Sequence, residues 1–390
     1  MSKQALLDSV QSIQDEVVDA SQADSKFLET NQRSVSKLAE NAKKNPARKR
    51  EFAEAAQVLG GVLSGKLPSY KLQEAMTKSD FPLLFGDVMD RLLLSGYRHA
   101  PANFTAFTRT STVRDFRPVQ RHYVDGADGI LEEVGEQSEY PLDQLEEGLY
   151  SYRVKKFGRV LNFSWETLVN DDLDAFADMP RRLGRGARRS ENNFVTKLYA
   201  GQNGFNTAFF NEANGNIIEG NPVLTMEGLL KAYKQMSKQV DPTTNEPIFN
   251  IPQVLVVPPE LEIVAKQLVN ATEIRQTEGD NQIISQNFLQ NGLQVVVDYY
   301  LPKVSTDATP WFLFADPSEG RGALEFGRLR GHEEPSIMMK APNATLVGGG
   351  AVNALQGDFE TDSIKYKVRH VFGGTTMDPL YVVGSNGTGQ

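Results

Sequence analysis

Residues 254–271 read VLVVPPELEIVAKQLVNA, and the double proline in the middle divides two kinds of structure. Gln253 to Val257 is a short apolar run rich in β-branched residues, the composition of a buried strand. Pro258 and Pro259 end it and open a helix, ELEIVAKQLVNA, because proline is tolerated where the first helical N–H groups lack partners anyway. Outward from this passage the alternation continues. Met226 to Gln239 is read as helix, and Leu293 to Leu301, Trp311 to Ala315 and Ala323 to Leu329 as strands. Residues 222–345 are therefore one compact α/β unit. Beyond the Gly-rich bridge Gly348 to Gly350 lie two more strands, Ile364 to Phe372 and Leu380 to Val383, separated by a Gly-Gly turn and Asp378-Pro379.

Upstream, Val113 to Val124 is extended in character, and Tyr150, Tyr152 and Val154 alternate with Ser151, Arg153 and Lys155 at the period of a half-exposed strand. A phase shift at Lys156, Phe157 and Gly158 predicts a bulge. Between the flanks lies an acidic stretch of unusual purity. Residues 125–147 hold Asp125, Asp128, Glu132, Glu133, Glu136, Glu139, Asp143, Glu146 and Glu147 and no Lys or Arg. The chain has 50 acids and 41 bases, a formal charge of −9, so outside this stretch it balances at 41 against 41. Residues 113–160 thus form a hairpin with an acidic tip and a basic stem of Arg114, Arg117, Arg121, Arg153, Lys155, Lys156 and Arg159. A two-stranded ribbon is marginal alone in water, so the arm is expected to lie on something else. A solvated loop and a divalent-ion loop are the alternatives, the latter without calcium-loop spacing.

Asn170 with Asp171, Asp172 and Asp174 reads as an N-cap and acidic first turn, and Lys197 and Gly201 as the matching C-terminal signals. Pro180 is expected to break the run and leave a helix from about Pro180 to Ala200. At about 100° per residue, Arg181, Arg182, Arg185, Arg188 and Arg189 share one side, opposite Leu183, Ala187, Phe194 and Leu198. Such a stripe suits phosphates, acids on a neighbouring subunit, or plain solvent. Residues 1–75 read as a peripheral helical arm, with Leu6, Val10, Ile13 and Val17 at coiled-coil-like spacing and a basic patch at Lys43, Lys44, Arg48, Lys49 and Arg50. A Leu-rich segment leads from there into the hairpin.

The search for chemistry finds little. No cysteine occurs, which removes disulfides, thiolate metal sites and cysteine nucleophiles. His99, His122, His332 and His370 stand far apart without metal-ligand spacing and read as ordinary surface or interface residues. There is no GxSxG elbow and no phosphate loop, and Gly348-Gly349-Gly350 lacks the dinucleotide fingerprint. The expectation is no catalytic residue, no cofactor and no metal. Without a secretory signal or an apolar run of about 20 residues, the chain is expected to be soluble and made in the cytosol.

The order of parts resembles the major capsid proteins of tailed bacteriophages, the Hong Kong phage capsid fold. VLVVPPELEIVAKQLVNA is similar to the strand-to-helix passage of Mu-like head subunits, and KYKVRHVFGGTTMDPLYVVGSNG at 365–387 to the closing strands of many head proteins. The resemblance spans roughly residues 80–387 and implies an α+β chain: N-terminal arm and lead-in at 1–112, extended hairpin loop at 113–160, peripheral domain with spine helix at 161–221 and 346–390, and axial domain at 222–345. It implies self-assembly through hexamers and pentamers into an icosahedral shell around double-stranded DNA. Scaffold, portal, decoration or minor capsid proteins are possible partners, and a membrane is not. Such a shell is built in the bacterial host cytoplasm. Acidic tip and basic stem or spine surfaces would then pair between copies. An encapsulin-like compartment shell shares the fold, and a soluble α/β enzyme is the alternative of another class.

Overall fold

The computed structural model describes residues 57, 58, 60, 61, 67, 81–125, 134, 146–164, 166, 173–242, 244–248, 250–278, 281–287, 289, 292–306, 308–318, 321–340, 343, 347–348 and 358–389. The N-terminal heptad positions, Asn170 with Asp171 and Asp172, Gly349, Gly350 and the tip acids Asp128, Glu132, Glu133, Glu136, Glu139 and Asp143 lie outside the described residues. The chain divides into two compact units. Both mix helix and strand, so the fold class is α+β.

The first unit takes residues 1–101, 156–189 and 331–371. Its helix α1, Phe81–His99, buries Phe85, Val88, Met89, Leu92, Leu93 and Tyr97, the spacing of one helical face. Arg98 and His99 sit in its last turn, where positive charge complements the carbonyl end. A longer helix, α2, runs Leu173–Tyr199, with its N-terminal part in this unit. Pro180 does not break it, contrary to the sequence expectation. A proline costs the interior one hydrogen bond, and here Met179 and Pro180 are both buried, so packing holds the turns on either side. The two helices approach closely through glycine. A Cβ at Gly96 would lie 2.2 Å from the Arg181 carbonyl oxygen, and one at Gly184 2.0 Å from that of Leu93. Three strands complete the unit: β4, Lys155–Ser164, whose first residue falls in the second unit, β11, Ser336–Met339, and the first part of β12, Ser363–Thr376. β11 pairs antiparallel with β12, Ser336 opposite Arg369 and Met338 opposite Lys367, and β4 also pairs with β12. Ile364, Tyr366, Val368 and His370 face the core, and Tyr366 meets the Phe163 ring edge-on at 6.3 Å. His370, read from the sequence as a surface or interface residue, is buried within its own unit with its ring 5.6 Å from that of Tyr97.

The second unit takes 102–155, 190–330 and 372–390. Its centre is a four-stranded sheet in the order β13 (Val382–Ser385), β9 (Trp311–Ala315), β5 (Pro252–Val257), β8 (Gln294–Val297), with β5 and β8 parallel and the other pairs antiparallel. All five residues of β9 are buried, because both faces of the sheet are covered. Trp311, Leu313 and Ala315 pack with Leu255 and Val257 against two helices, α3 (Met226–Ser237) and α4 (Glu262–Asn270). Phe312 and Phe314 face an aromatic layer of Phe107, Tyr199 and Phe210. Helix α3 starts at Thr225, whose hydroxyl accepts the Gly228 N–H, and buries Leu229, Ala232 and Met236. The double proline does open a helix, first as a 3-10 turn at Pro259–Leu261 and then as α4. The strand expected over Leu293 to Leu301 stops at Val297, where Asp298 turns the chain, and Leu301–Val304 is a short helix, α5.

Beside this sheet, β1 (Arg109–Val113) pairs parallel with β10 (Leu324–Leu329), which pairs antiparallel with the end of β12. Gly373 and Gly374 lie inside that strand and not in a turn. A Cβ at Gly373 would meet the Arg153 carbonyl oxygen at 2.4 Å and one at Gly374 that of Glu325 at 2.5 Å, so close backbone approach is what requires them. Two hairpins complete the unit, β2–β3 (Val119–Asp125 and Glu146–Tyr152) and β6–β7 (Glu273–Glu278 and Asn281–Gln286). The interruption after β3 falls at Arg153 and Val154, ahead of the position expected for a bulge, and Gly158 lies within β4.

Candidate functional site

The hairpin β2–β3 has two unlike faces, set by its register. Val119 stands opposite Tyr152, Arg121 opposite Tyr150 and Tyr123 opposite Gly148, so these residues share one face. Tyr123 stacks on Tyr150 at 4.6 Å, and Gly148 leaves room for the ring, since a Cβ there would lie 1.9 Å from it. The Arg321 guanidinium sits 4.5 Å over the Tyr123 ring and 3.5 Å from the Asp378 carboxylate.

At the root of this face is Glu325 on β10, its side chain only 1% exposed. One oxygen, Oε1, accepts from Arg121 Nη2 at 2.9 Å and Nε at 3.1 Å, from the Tyr152 hydroxyl at 2.6 Å and from the Ser111 hydroxyl at 2.5 Å. Burial works to raise the Glu325 pKa, but the bonds from Arg121, Ser111 and Tyr152 together hold it below the ordinary carboxylate value. The Tyr152 hydroxyl is pushed up to about 12, first by burial and then by its bond to Glu325. Glu325 is therefore ionised at neutral pH and binds β1, β2 and β3 to β10 in one cluster.

The opposite face turns outward. Gln120, His122 and Val124 stand beside Ser151, Leu149 and Glu147, all exposed, with Val124 at 49% and Leu149 at 47%. The strands end at the pair Asp125 and Glu146, where the acidic stretch begins.

The remaining basic residues fall into two groups. Arg114, Arg153, Lys155, Lys156, Arg159 and Arg189 are exposed and make no ion pair or hydrogen bond among the described residues, while Arg117 reaches Asp115 at 3.8 Å. The helix stripe is largely engaged within its own unit. Arg182 and Arg185 approach Asp178 at 2.6 and 3.9 Å, and Arg188 lies 3.9 Å over the Tyr97 ring while its Nε donates to the Tyr97 carbonyl. Arg181 is half-buried.

Sequence reasoning missed Glu325, because its partners come from strands 173 to 214 positions away. It also passed over Lys365, Lys367 and Arg369, which alternate with the buried Tyr366 and Val368 along β12 and so share its outward face. Their period-2 spacing in KYKVR was the available signal. Among the described residues, no group of His, Asp and Glu could hold a metal ion, and no helix is long and apolar enough to cross a membrane.

The family model described as "Phage capsid protein" matches residues 148–385, more than half of the chain. No curated protein matches. Similar solved structures include one from Microbacterium phage Oxtober96 (13% identity, covering 71% of this chain and 85% of that one, TM-score 0.43). Another is from Gordonia phage Cozz (16% identity, 71% and 83% covered, TM-score 0.41). A third is the virus-like particle of Pyrococcus furiosus (10% identity, 77% and 99% covered, TM-score 0.45). The family match, not these distant likenesses, is what bears on function.

Proposed function

Because the chain belongs to the phage capsid protein family, and is thus a structural, non-enzymatic subunit that self-assembles into the shell of the virion capsid, we propose that its hairpin is the arm that joins neighbouring copies. The reading rests on one observation above others: one face of the ribbon is fastened to its own unit through Glu325, while the other presents Val124 and Leu149 and leads into a segment whose sequence holds nine acids and no Lys or Arg. A ribbon held at its root and open along its outer face is organised to contact something outside the chain.

On this reading residues 113–160 are the extended loop, reaching across a neighbouring subunit. Residues 222–345 form the axial domain around hexamer and pentamer centres, and 161–221 with 346–390 the peripheral domain. An acidic tip meeting basic surfaces on the next copy is a heterologous, head-to-tail contact, and such contacts close into rings when the rotation permits. Each exposed ion pair contributes only about 0–1 kcal/mol, so charge sets register and partner choice while apolar contact contributes most of the affinity. The enclosed cargo is phage double-stranded DNA, contacted without sequence preference, and assembly takes place in the bacterial host cytoplasm. Negative-stain electron microscopy of the purified chain tests this reading: closed shells, or rings of five or six, are expected. A chain that stays monomeric at every concentration and salt contradicts it.

A further inference from the structure

We infer that the outward face of β12, centred on Lys367 and Arg369 and bordered by Lys156 on β4, is the surface that receives the acidic hairpin segment of a second copy. This rests on the reading of the hairpin as an inter-subunit arm and names the docking surface that reading lacks.

The helix stripe is the poorer receptor because three of its five arginines are engaged, Arg182 and Arg185 by Asp178 and Arg188 by Tyr97, which leaves Arg189 as its one exposed arginine without an ion pair or hydrogen bond among the described residues. The β12 face differs. Lys365, Lys367 and Arg369 occupy alternate positions, so their charges repeat about every 6.8 Å and span about 14 Å, the reach of Glu132 to Glu136 in extended chain. Lys367 and Arg369 make no ion pair or hydrogen bond among the described residues, nor does Lys156 on the adjoining strand. On the other side, β11 places Met338 beside Lys367 and Ser336 beside Arg369, neither of them acidic. Of the acids near it in sequence, Asp358 is engaged with Lys365 at 3.0 Å and Lys340 at 3.8 Å and Glu334 with Arg98 at 2.9 Å, while Glu360 and Asp362, exposed just before β12, form no ion pair with Lys367 or Arg369 among the described residues.

The face therefore presents uncompensated positive charge on a rigid strand, and the same chain carries nine acids without a single base in residues 125–147. A second copy of this segment is a better match than nucleic acid. Nucleic-acid affinity grows with the number of phosphates neutralised, and Lys367, Arg369 and Lys156 would neutralise only a few.

The test is a charge swap in the full chain, with assembly followed by sedimentation and negative stain, and folding by thermal melt. Lys367→Glu with Arg369→Glu should fold normally and assemble roughly tenfold less well, each exposed pair accounting for up to about fivefold. Adding Glu132→Lys, Glu133→Lys, Glu136→Lys and Glu139→Lys to that chain should restore assembly, because reversed surfaces again attract across the contact. Should the tip reversal alone block assembly while the β12 reversal has no effect, or while the combined chain stays unassembled, the arm reading stands and this inference fails. Wild-type assembly by the tip-reversed chain overturns both. If the β12 variant assembles normally but loses binding to a short DNA duplex, the face serves nucleic acid and the inference is overturned. Should the glutamate variant not fold, Lys367→Gln with Arg369→Gln is titrated with a synthetic 125–147 peptide. Weaker binding than the wild-type chain supports the inference, and equal binding refutes it.

Discussion

Arg121 on the hairpin and Glu325 on β10 meet at 2.9 Å, the carboxylate side chain 1% exposed and the guanidinium 40%. Their unequal burial makes the two halves of the pair unequal to remove. Arg121→Ala leaves an ionised, buried carboxylate with only two hydroxyl donors, and is expected to cost about 3 kcal/mol. Glu325→Gln leaves an arginine that water can reach, and is expected to cost about 1–2 kcal/mol. Urea unfolding of the two variants measures the difference, and equal midpoint shifts would show that the root is not organised around Glu325.

The same cluster sets an acid limit. The folded pKa of Glu325 lies below its ordinary value of 4.5, so its contribution to stability is complete above pH 4.5 and is lost as pH falls through the folded value. Asp298 carries the opposite sign. Burial is the leading influence and raises its pKa above 3.8, although Thr196 and Tyr199 donate to it at 2.5 and 2.6 Å. Its contribution is present below pH 3.8 and is lost as pH rises through the raised value. Subtracting the stability–pH curve of Asp298→Asn from that of the parent should give a difference falling with pH above 3.8, and the Glu325→Gln subtraction one rising with pH below 4.5.

Two glycines on one helix separate close packing from helix propensity. At Gly184 a Cβ would lie 2.0 Å from the Leu93 carbonyl oxygen, whereas at Gly186 nothing lies within 4 Å. Gly184→Ala is expected to destabilise by about 1–3 kcal/mol through overpacking. Gly186→Ala is expected to stabilise by about 0.5–1 kcal/mol, because alanine loses less backbone freedom in a helix. Thermal melts of the pair check both signs.

Local signals carried much of the fold. WFLFA at 311–315 reads as a strand in sequence and is one, because a continuous apolar run needs cover on both faces and receives it. The double proline at 258–259 likewise opens a helix in both. Where local signal and tertiary context disagree, context prevails. Gly373-Gly374 resembles a turn until the Arg153 and Glu325 carbonyls are seen against it, and Pro180 resembles a stop until the packing around Met179 is seen. The hairpin was legible from its alternation, but its anchor was not, since nothing near Glu325 in sequence announces Ser111, Arg121 and Tyr152. The arginine stripe was legible as a stripe, while its engagement by Asp178 and Tyr97 depends on rotamers and on a second helix.

The central claim is that the acidic hairpin joins one copy to the next. Its most direct test is negative-stain microscopy of the chain carrying Glu132→Lys, Glu133→Lys, Glu136→Lys and Glu139→Lys, beside the parent at equal concentration. The account predicts shells or rings from the parent and folded, unassembled subunits from the variant. Normal shells from the variant would contradict it.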